Sequence, residues 1–466
     1  MSYVSTRGHA GELPFDQVLL TGLATDGGLY LPAVWPSLSA ADFKAMAGRP
    51  HAEVAARVMT PFLFGSIDAG VFAEMVTAAY SGFDHAAVAP LAQLGDSDWM
   101  LELFHGPTLS FKDYALQLVG RLFDHVLRRA GRRVTIVVAT SGDTGSAAIE
   151  ACRGRDAIDI VVLHPKGRVS EVQRRQMTTA AEPNVHNLAI EGTFDDCQNL
   201  VKALFHTPGL REEVGLAAMN SINWARIMAQ VVYYVTAAVA LGAPDRPVAF
   251  AVPTGNFGNI FAGYVARRIG LPVAQLVIGS NANDILTRFL ATGDMRMEGV
   301  VPTLSPSMDI EVSSNFERLL YDLLDGNPAA VAARMDSFRQ SGSFTLGDVP
   351  MQRARRLFAA CRLDDAETLS AIGALYRGTG LLIDPHSAIG IAAGRARRRD
   401  PAIPLVALAT AHAAKFPDAV ERATGRRPEL PPRLADLMER PERMQSMAAD
   451  AAELTAFVRR VAWVAK

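Results

Sequence analysis

Apolar runs and helical spacing alternate along most of the chain after residue 134. Val134–Thr140 reads VTIVVAT and ends in a turn of small residues, and Ser146–Cys152 then has the composition of a helix. Continuous apolar strands that alternate with helices indicate parallel sheets covered on both faces. The pattern predicts an α/β fold with two such sheets. Further predicted strands are Ile158–His164, Val185–Gly192, Pro247–Pro253, Pro272–Ser280 and Ile403–Ala409.

The first ninety residues follow a different, mostly helical pattern. Helical spacing is present at Phe15–Leu20, Asp42–Ala47 and Asp68–Ala79, and glycines and prolines punctuate the intervals. We therefore expect a helical N-terminal segment ahead of the α/β part.

Composition and charge narrow the class of protein. Of 466 residues, 49% are hydrophobic and 20% are charged, which suits a large core and argues against disorder. The 46 Lys and Arg nearly balance the 48 Asp and Glu, so neither nucleic acid nor anionic lipid is an expected partner. The apolar run Gln230–Leu241 is shorter than the roughly 18–20 residues of a membrane span and is expected to be a buried helix.

The spacing of the cysteines and the N-terminal sequence indicate the compartment of the protein. Cys152, Cys197 and Cys361 lie far apart, which argues against a disulfide framework and against a CxxC metal site. No metal is expected. The N-terminal MSYVSTR lacks the basic-then-apolar order of a signal peptide, so a cytoplasmic protein is predicted.

A glycine-containing loop is the first candidate for chemistry. VPTGNFGNI spans residues 252–260, and Gly255 and Gly258 would let backbone N–H groups approach an oxyanion at a helix start. The patterns GxxxxGK[ST] and GxGxxG are absent, which argues against an NTPase or an NAD enzyme. Taken alone, the loop is also explained by a tight turn that needs glycine.

Two further segments are candidates. TSGDTG at Thr140–Gly145 suits a nest of N–H donors for a carboxylate or phosphate, or a turn in which Ser or Asp caps the next helix. Lys112 lies in the apolar and aromatic stretch Phe104–Gln117. Desolvation there would lower the lysine pKa and favour a Schiff base, although a lysine that extends from a helix face into water is the alternative.

Together these features match the needs of a pyridoxal-phosphate enzyme, namely an imine-forming lysine, a phosphate anchor and a grip on an amino-acid carboxylate. Longer motifs then resemble the threonine synthase family, within the β-family (fold type II) of such enzymes. One departure is Ala413, where the family pattern has proline. The motifs are GLATDGGLYLP (22–32), LELFHGPTLSFKDYALQ (101–117), NSINWARI (220–227), NANDIL (281–286), TLSPSMDI (303–310), SSNFERLL (313–320), DPHSAIG (384–390) and LATAHAAKF (408–416).

The resemblance implies a tryptophan-synthase-β-like architecture with two α/β domains that contain parallel sheets. It implies an N-terminal segment over 1–90, a large cofactor-binding domain over 91–130 and 231–466, and a smaller α/β domain over 131–230.

The resemblance also implies pyridoxal 5′-phosphate (PLP) as cofactor. Lys112 would bind it covalently and move protons, and Thr410 would place its hydroxyl against the pyridine nitrogen. His412 is either a neighbour of the cofactor or a structural histidine. The implied cofactor-binding residues are Lys112, Asp143, Gly255, Asn256, Phe257, Gly258, Asn259 and Thr410.

The implied substrate contacts form two groups, one for a carboxylate and one for a phosphate. Arg226 offers a planar fork of donors suited to phosphate, and its alternative is a surface ion pair. Asn223 and Lys415 are left open as further phosphate ligands. The implied substrate-binding residues are Ser141, Gly142, Thr144, Asn220, Ser221 and Arg226.

The activity implied by the resemblance is conversion of O-phospho-L-homoserine and water into L-threonine and phosphate, by γ-elimination and β-addition. A related phospholyase that releases 2-oxobutanoate and a non-catalytic binding protein are the alternatives. A monomer or a homodimer is expected.

Overall fold

The computed structural model describes residues 1–462, and its helices and strands are numbered here in chain order. The strands are β1 (Ser2–Ser5), β2 (Leu13–Pro14), β3 (Tyr30–Pro32), β4 (Leu91–Gln93), β5 (Asp98–Glu102), β6 (Val134–Ala139), β7 (Ile158–Pro165), β8 (Val185–Glu191), β9 (Leu216–Ala217), β10 (Val248–Pro253), β11 (Val273–Ser280), β12 (Asp294–Arg296), β13 (Ser343–Thr345), β14 (Phe358–Arg362), β15 (Leu405–Ala409) and β16 (Gln445–Ala448). The helices are α1 (Phe15–Thr21), α2 (Ala40–Met46), α3 (His51–Leu63), α4 (Ala69–Tyr80), α5 (Lys112–Arg129), α6 (Asp143–Cys152), α7 (Glu171–Thr178), α8 (Phe194–His206), α9 (Leu210–Glu213), α10 (Trp224–Ala240), α11 (Gly258–Arg268), α12 (Ile285–Thr292), α13 (Phe316–Leu323), α14 (Pro328–Ser341), α15 (Asp348–Leu357), α16 (Asp365–Thr379), α17 (Pro385–Arg397), α18 (Pro417–Thr424) and α19 (Ala451–Val461).

The chain divides into two compact units. The large unit comprises Met1–Gly106 and Ser221–Pro428, and the small unit comprises Pro107–Asn220 and the residues from Glu429 onward. The large unit thus joins the N-terminal segment to the larger sheet, whereas residues after 428 belong with the smaller sheet. The three-domain division drawn from the sequence stays a prediction.

The six-stranded sheet of the large unit has the order β14-β11-β10-β15-β5-β4. All its pairs are parallel except the edge pair β4–β5. The central strands β10 and β15 are buried at every residue, and helix α17 packs on both of them. Continuous burial explains why these two strands read as unbroken apolar runs.

The N-terminal segment contains four helices and a small antiparallel sheet in the order β2-β1-β3. An aromatic cluster anchors it to α10. Trp224 donates from its indole N–H to the Tyr3 hydroxyl (3.0 Å), and Tyr3 donates in turn to the carbonyl of Phe62 (2.8 Å). Helices α1, α2 and α4 confirm the predicted spacing, while α3 and the sheet were not predicted.

The small unit contains an all-parallel sheet in the order β16-β8-β7-β6-β9. Helices α5 and α6 pack closely against each other. The approach requires glycine at position 120, since a Cβ on Gly120 would lie only 2.3 Å from the carbonyl oxygen of Ala151. The α/β class with two parallel sheets and a helical N-terminal part is confirmed. No helix within residues 1–462 has the length and apolar character needed to cross a membrane.

Candidate active site

Both units contain predicted site residues. The small unit contains Lys112, Ser141, Gly142, Asp143, Thr144 and Asn220. The large unit contains Ser221, Arg226, Gly255, Asn256, Phe257, Gly258, Asn259 and Thr410.

Lys112 is the first residue of α5 and is held in place inside the small unit. Its side chain is buried, with the residue only 8% exposed, and Nζ lies 3.2 Å from Oδ2 of Asp143. The preceding turn is fixed because Asp113 accepts the backbone N–H and the hydroxyl of Thr108, at 2.8 and 2.6 Å. Burial of Lys112 is therefore confirmed, and extension of its amine into water is excluded. The carboxylate partner was not predicted.

The turn before α6 presents Asp143 to that amine. Gln173 donates from Nε2 to Oδ1 of Asp143 at 2.8 Å, which leaves Oδ2 for Lys112. Gly142 has φ of +140°, and a Cβ there would lie 2.5 Å from Cδ of Gln173, so only glycine allows this approach. Gln173 was missed at the sequence level, because its link to Asp143 spans thirty residues.

The hydroxyl that organises this turn belongs to Thr140. Its Oγ1 accepts the backbone N–H groups of Gly142 and Gly145, both at 2.9 Å. Neither Ser nor Asp caps α6, so that alternative is wrong. Ser141 and Thr144 are half-buried at the turn surface, which leaves the carboxylate site a prediction.

Two carbonyl groups of the loop between β10 and α11 accept hydrogen bonds from Ser313 and Asn315. Ser313 donates from Oγ to the carbonyl of Gly255 at 2.7 Å, and Asn315 donates from its N–H and Nδ2 to the carbonyl of Asn256, at 3.0 and 2.9 Å. The N–H groups of the first turn of α11 have no intrahelical acceptors. They form the kind of site that binds a phosphate.

Phe257 fixes the course of the same loop. It adopts a left-handed conformation (φ +64°), which is unfavourable for a residue other than glycine. Its ring packs against Phe316 and Phe358, with centroids 5.4 and 6.0 Å away. Aromatic packing therefore stabilises a backbone conformation that is unfavourable for phenylalanine.

Arg226 is a buried cation on α10. It is 3% exposed, and its Nε and Nη1 have no hydrogen-bond partner among the described residues. Desolvation lowers the pKa of the guanidinium to about 10, so it is still charged at neutral pH. A buried charge without an acceptor is costly, which points to an anionic ligand. The surface ion-pair alternative is wrong.

Other polar groups on α10 and α11 extend this region. Gln230 lies one helical turn beyond Arg226, and its Oε1 is buried without a partner in the described structure. Asn259 accepts hydrogen bonds from the hydroxyls of Tyr233 and Tyr234, at 2.5 and 3.0 Å, while its buried Nδ2 has no acceptor there. Asn259 was predicted only as a cofactor-binding residue, and Gln230 was missed, although it lies four residues after Arg226 on the same helix.

Three remaining residues near the motifs have structural roles. Asn223 caps α10 by accepting the N–H of Ala225 at 3.0 Å, and its Nδ2 donates to the carbonyl of Leu19 at 2.8 Å. His412 accepts the N–H of Ala414 at 3.2 Å and packs on Phe104, which fits a structural histidine. Ala413, the departure from the family pattern, opens a short 3-10 turn, a position that tolerates proline.

Thr410 follows directly after β15. It is buried, and its backbone N–H donates to Oγ of Ser387 at 3.0 Å. Because ligands of open α/β sheets bind at the carboxyl ends of parallel strands, its position suits a ligand contact.

Comparison with known proteins defines the class first. The family profile described as pyridoxal-phosphate dependent enzyme matches residues 92–334. A crystal structure of PLP-bound threonine synthase from Brucella melitensis superposes with a TM-score of 0.97 at 53% identity, covering 99% of this chain and 100% of that chain. The protein is therefore a PLP-dependent enzyme of fold type II.

The remaining matches define the family. Profiles for the threonine synthase N terminus and the threonine synthase C-terminal region match residues 2–80 and 387–458. A curated threonine synthase from Pseudomonas aeruginosa is 55% identical over 459 residues, and threonine synthase-like 2 from Xenopus laevis is 33% identical over 454. These alignments cover 98% of both chains in the first case, and 97% of this chain and 96% of the relative in the second. The chain belongs to the threonine synthase family.

The residues present fit the cofactor. Gly255 leaves no room for a side chain, because a Cβ would lie 2.8 Å from the carbonyl oxygen of Ser307. The loop can therefore take its cradle shape only with glycine there, next to the first-turn N–H groups that suit a phosphate. Lys112 supplies a buried amine of the kind PLP requires.

Replacing Gly255 by alanine is expected to weaken PLP binding at least about fivefold, because the added Cβ must displace the backbone that shapes the phosphate loop. Titration of the cofactor-free protein with PLP measures the change. Gly378→Ala is the control, since nothing lies within 4 Å of that position and alanine favours helix α16. Equal PLP affinity in Gly255→Ala and the wild type would contradict the assigned loop.

Proposed function

We propose that the protein converts O-phospho-L-homoserine and water into L-threonine and phosphate. The observation that carries this proposal is Arg226, a buried cation whose Nε and Nη1 lack acceptors in the described structure. A substrate with its own phosphate supplies the missing anion. An amino acid without a phosphate would leave the guanidinium buried and unpaired at every stage, at a continuing energetic cost.

The cofactor, when bound, supplies an electron sink that lets the Cα and Cβ protons of an amino acid leave. Lys112 would hold the cofactor through its amine, and Nζ of the same residue would take the Cα proton of the substrate and later return it. Asp143 holds that amine in position through Oδ2, 3.2 Å away. The backbone N–H groups of Gly255–Asn259, at the start of α11, would hold the cofactor phosphate, and the Thr410 hydroxyl would face the ring nitrogen.

Binding of the substrate uses two anion sites in this proposal. The N–H groups of the Ser141–Thr144 turn bind its carboxylate. Arg226 binds its phosphate, and Nδ2 of Asn259, which has no acceptor among residues 1–462, is a second donor to the same group. Asn220 is exposed and Ser221 is half-buried just before α10. Their side chains are therefore accessible to a substrate, as the predicted contacts require.

A second candidate is the phospholyase reaction, in which the same elimination ends in 2-oxobutanoate without addition of water. The chain is also 33% identical to a relative with a separate name, threonine synthase-like 2 from Xenopus laevis, so a different outcome of the same elimination is tested too. Both reactions use Lys112 and the same loops. They differ only in whether water reaches Cβ before the product leaves.

Product analysis tests the proposal. Purified protein with PLP and O-phospho-L-homoserine is expected to release threonine and phosphate in equal amounts. Lys112→Ala serves as the inactive control. Formation of 2-oxobutanoate with no threonine would support the phospholyase, and absence of any turnover by PLP-loaded protein would support a non-catalytic role.

The cellular compartment and the oligomeric state of the protein are also part of the proposal. Cys152 and Cys197 are buried free thiols, which is typical of a reducing compartment and supports the cytoplasm. A monomer or a homodimer stays the predicted state, which sedimentation in solution would decide.

A further inference from the structure

The buried carboxylate of Asp384 accepts more hydrogen bonds than a helix cap requires. It is fully buried at the start of α17 and accepts the backbone N–H groups of His386 and Ser387, at 2.9 and 3.2 Å. Those two bonds complete an ordinary N-cap. The side chains of the same two residues also donate to it, His386 from Nδ1 at 2.7 Å and Ser387 from Oγ. Each side chain is thereby left with an acceptor that faces away from Asp384.

The first of these acceptors meets the end of β15. Because the Ser387 hydroxyl donates its proton to Asp384, its oxygen is oriented to accept from elsewhere. It accepts the backbone N–H of Thr410 at 3.0 Å. Thr410 is the residue proposed to contact the ring nitrogen of the cofactor. The Asp384–Ser387 pair thus fixes the backbone from which that hydroxyl projects.

The second acceptor meets the wall of the phosphate loop. With the Nδ1 proton bound to Asp384, Nε2 of His386 is the acceptor, and it receives the backbone N–H of Ser307 at 3.3 Å. The carbonyl of Ser307 is the group that leaves no space for a Cβ on Gly255. His386 is buried and packs against Phe416 at 4.9 Å, so its ring has little freedom to turn.

We infer that Asp384 is a positioning residue for both ends of the cofactor: through Ser387 it sets Thr410 at the ring nitrogen, and through His386 it sets the Ser307 wall of the phosphate loop. This inference rests on the roles proposed for Thr410 and Gly255. It assigns a function to the DPHS motif beyond capping α17. If the motif only supported the fold, any substitution in it would weaken binding of the ring and of the phosphate alike. If it acts through Ser387 and His386 separately, substitution of His386 weakens binding of the phosphate alone.

The experiment compares PLP with pyridoxal, which has the same ring and aldehyde but no phosphate. Full-length protein freed of cofactor is titrated with each compound, and the visible absorbance of the lysine-bound form gives the affinity. Three variants separate the arms. Ser387→Ala removes the acceptor for Thr410, His386→Asn keeps a donor to Asp384 but loses the acceptor for Ser307, and His386→Gln places an acceptor near the Nε2 position.

Ser387→Ala is expected to weaken PLP and pyridoxal by the same factor, about tenfold, because one hydrogen bond at the ring end is lost. His386→Asn is expected to weaken PLP about tenfold and to leave pyridoxal within twofold of the wild type. His386→Gln is expected to recover part of the PLP affinity. Thr368→Ala, which removes a buried hydroxyl bonded to the carbonyl of Asp364 at 2.7 Å, is the control and is expected to bind both compounds normally.

The thermal midpoint of each variant shows whether it is folded, and Thr368→Ala sets the change expected from one lost buried hydroxyl. The inference is overturned if His386→Asn weakens both compounds equally, or if Ser387→Ala changes neither. It is also overturned if the wild type binds PLP and pyridoxal equally well. A wild type that shows the expected pattern but forms no threonine leaves the inference standing and contradicts only the proposed reaction.

Discussion

Lys112→Ala is expected to reduce threonine formation by at least about 10³-fold, the upper range for loss of one proton-transferring group, and to abolish the visible absorbance of bound cofactor. The reason is the placement of the amine. It is buried at the start of α5 with Asp143 beside it, and the described structure offers no second lysine on that turn to take over. Activity assays and absorbance spectra of the purified variant measure both effects.

Lys112→Arg is the matched variant for this experiment. A guanidinium keeps the positive charge opposite Asp143 but forms no covalent bond to the cofactor and does not take protons near neutral pH. We expect it to be as inactive as Lys112→Ala while keeping more of the wild-type stability. Substantial activity in either variant, or a visible absorbance band in Lys112→Ala, would show that another residue binds the cofactor.

Arg226→Met is expected to make the protein more stable and far less active. Removing a buried charge that lacks an acceptor relieves its desolvation cost, and replacing a buried ion pair by well-packed apolar residues has stabilised other proteins by about 1–4 kcal/mol. The same change removes the proposed contact to the substrate phosphate. Loss of a buried charge pair costs about 2–5 kcal/mol, so kcat/KM should fall about 30- to 4,000-fold. Thermal unfolding and steady-state kinetics give the two numbers.

Arg226→Lys serves as the control, because it retains the cation but not the planar fork. It should recover part of kcat/KM and lose the gain in stability. A lower thermal midpoint in Arg226→Met would mean that the guanidinium serves the fold, and unchanged kinetics would remove the observation on which the proposed substrate depends. Opposite signs of the two effects are the signature of a residue kept for its ligand.

The sequence predicted the buried central strands of the two large sheets better than their edge strands. Strands such as β7 and β10 are buried at every residue, so their apolar runs are unambiguous. β14 and β16 were missed because they are short and lie at sheet edges, with β14 largely half-buried and β16 mostly exposed, so neither has a continuously buried run to detect. Their pairing is decided by distant strands, and no local pattern encodes it.

The candidate site was predicted at the level of residue type and only partly at the level of contacts. The motifs indicated Lys112 and the glycine loop, because amine and glycine chemistry is evident in the letters themselves. The partners of Asp143 and Thr410 were not evident, since Gln173 and Ser387 reach them from elements thirty and twenty-three residues away. Burial of Arg226 was equally hidden, because α10 is enclosed on nearly all sides rather than on one face.

The position of β16 has a consequence for synthesis. The small sheet is completed only when Gln445–Ala448 pairs with β8, and Glu442 joins Arg174 by two hydrogen bonds at 2.9 and 3.0 Å just before it. During translation, the backbone of β8 therefore exposes an unpaired edge while Ser221–Pro428 of the large unit is being made. Such edges recruit foreign strands. A ribosome that stalls before residue 445 releases a chain prone to aggregate, and chaperone demand should fall once that short strand has emerged.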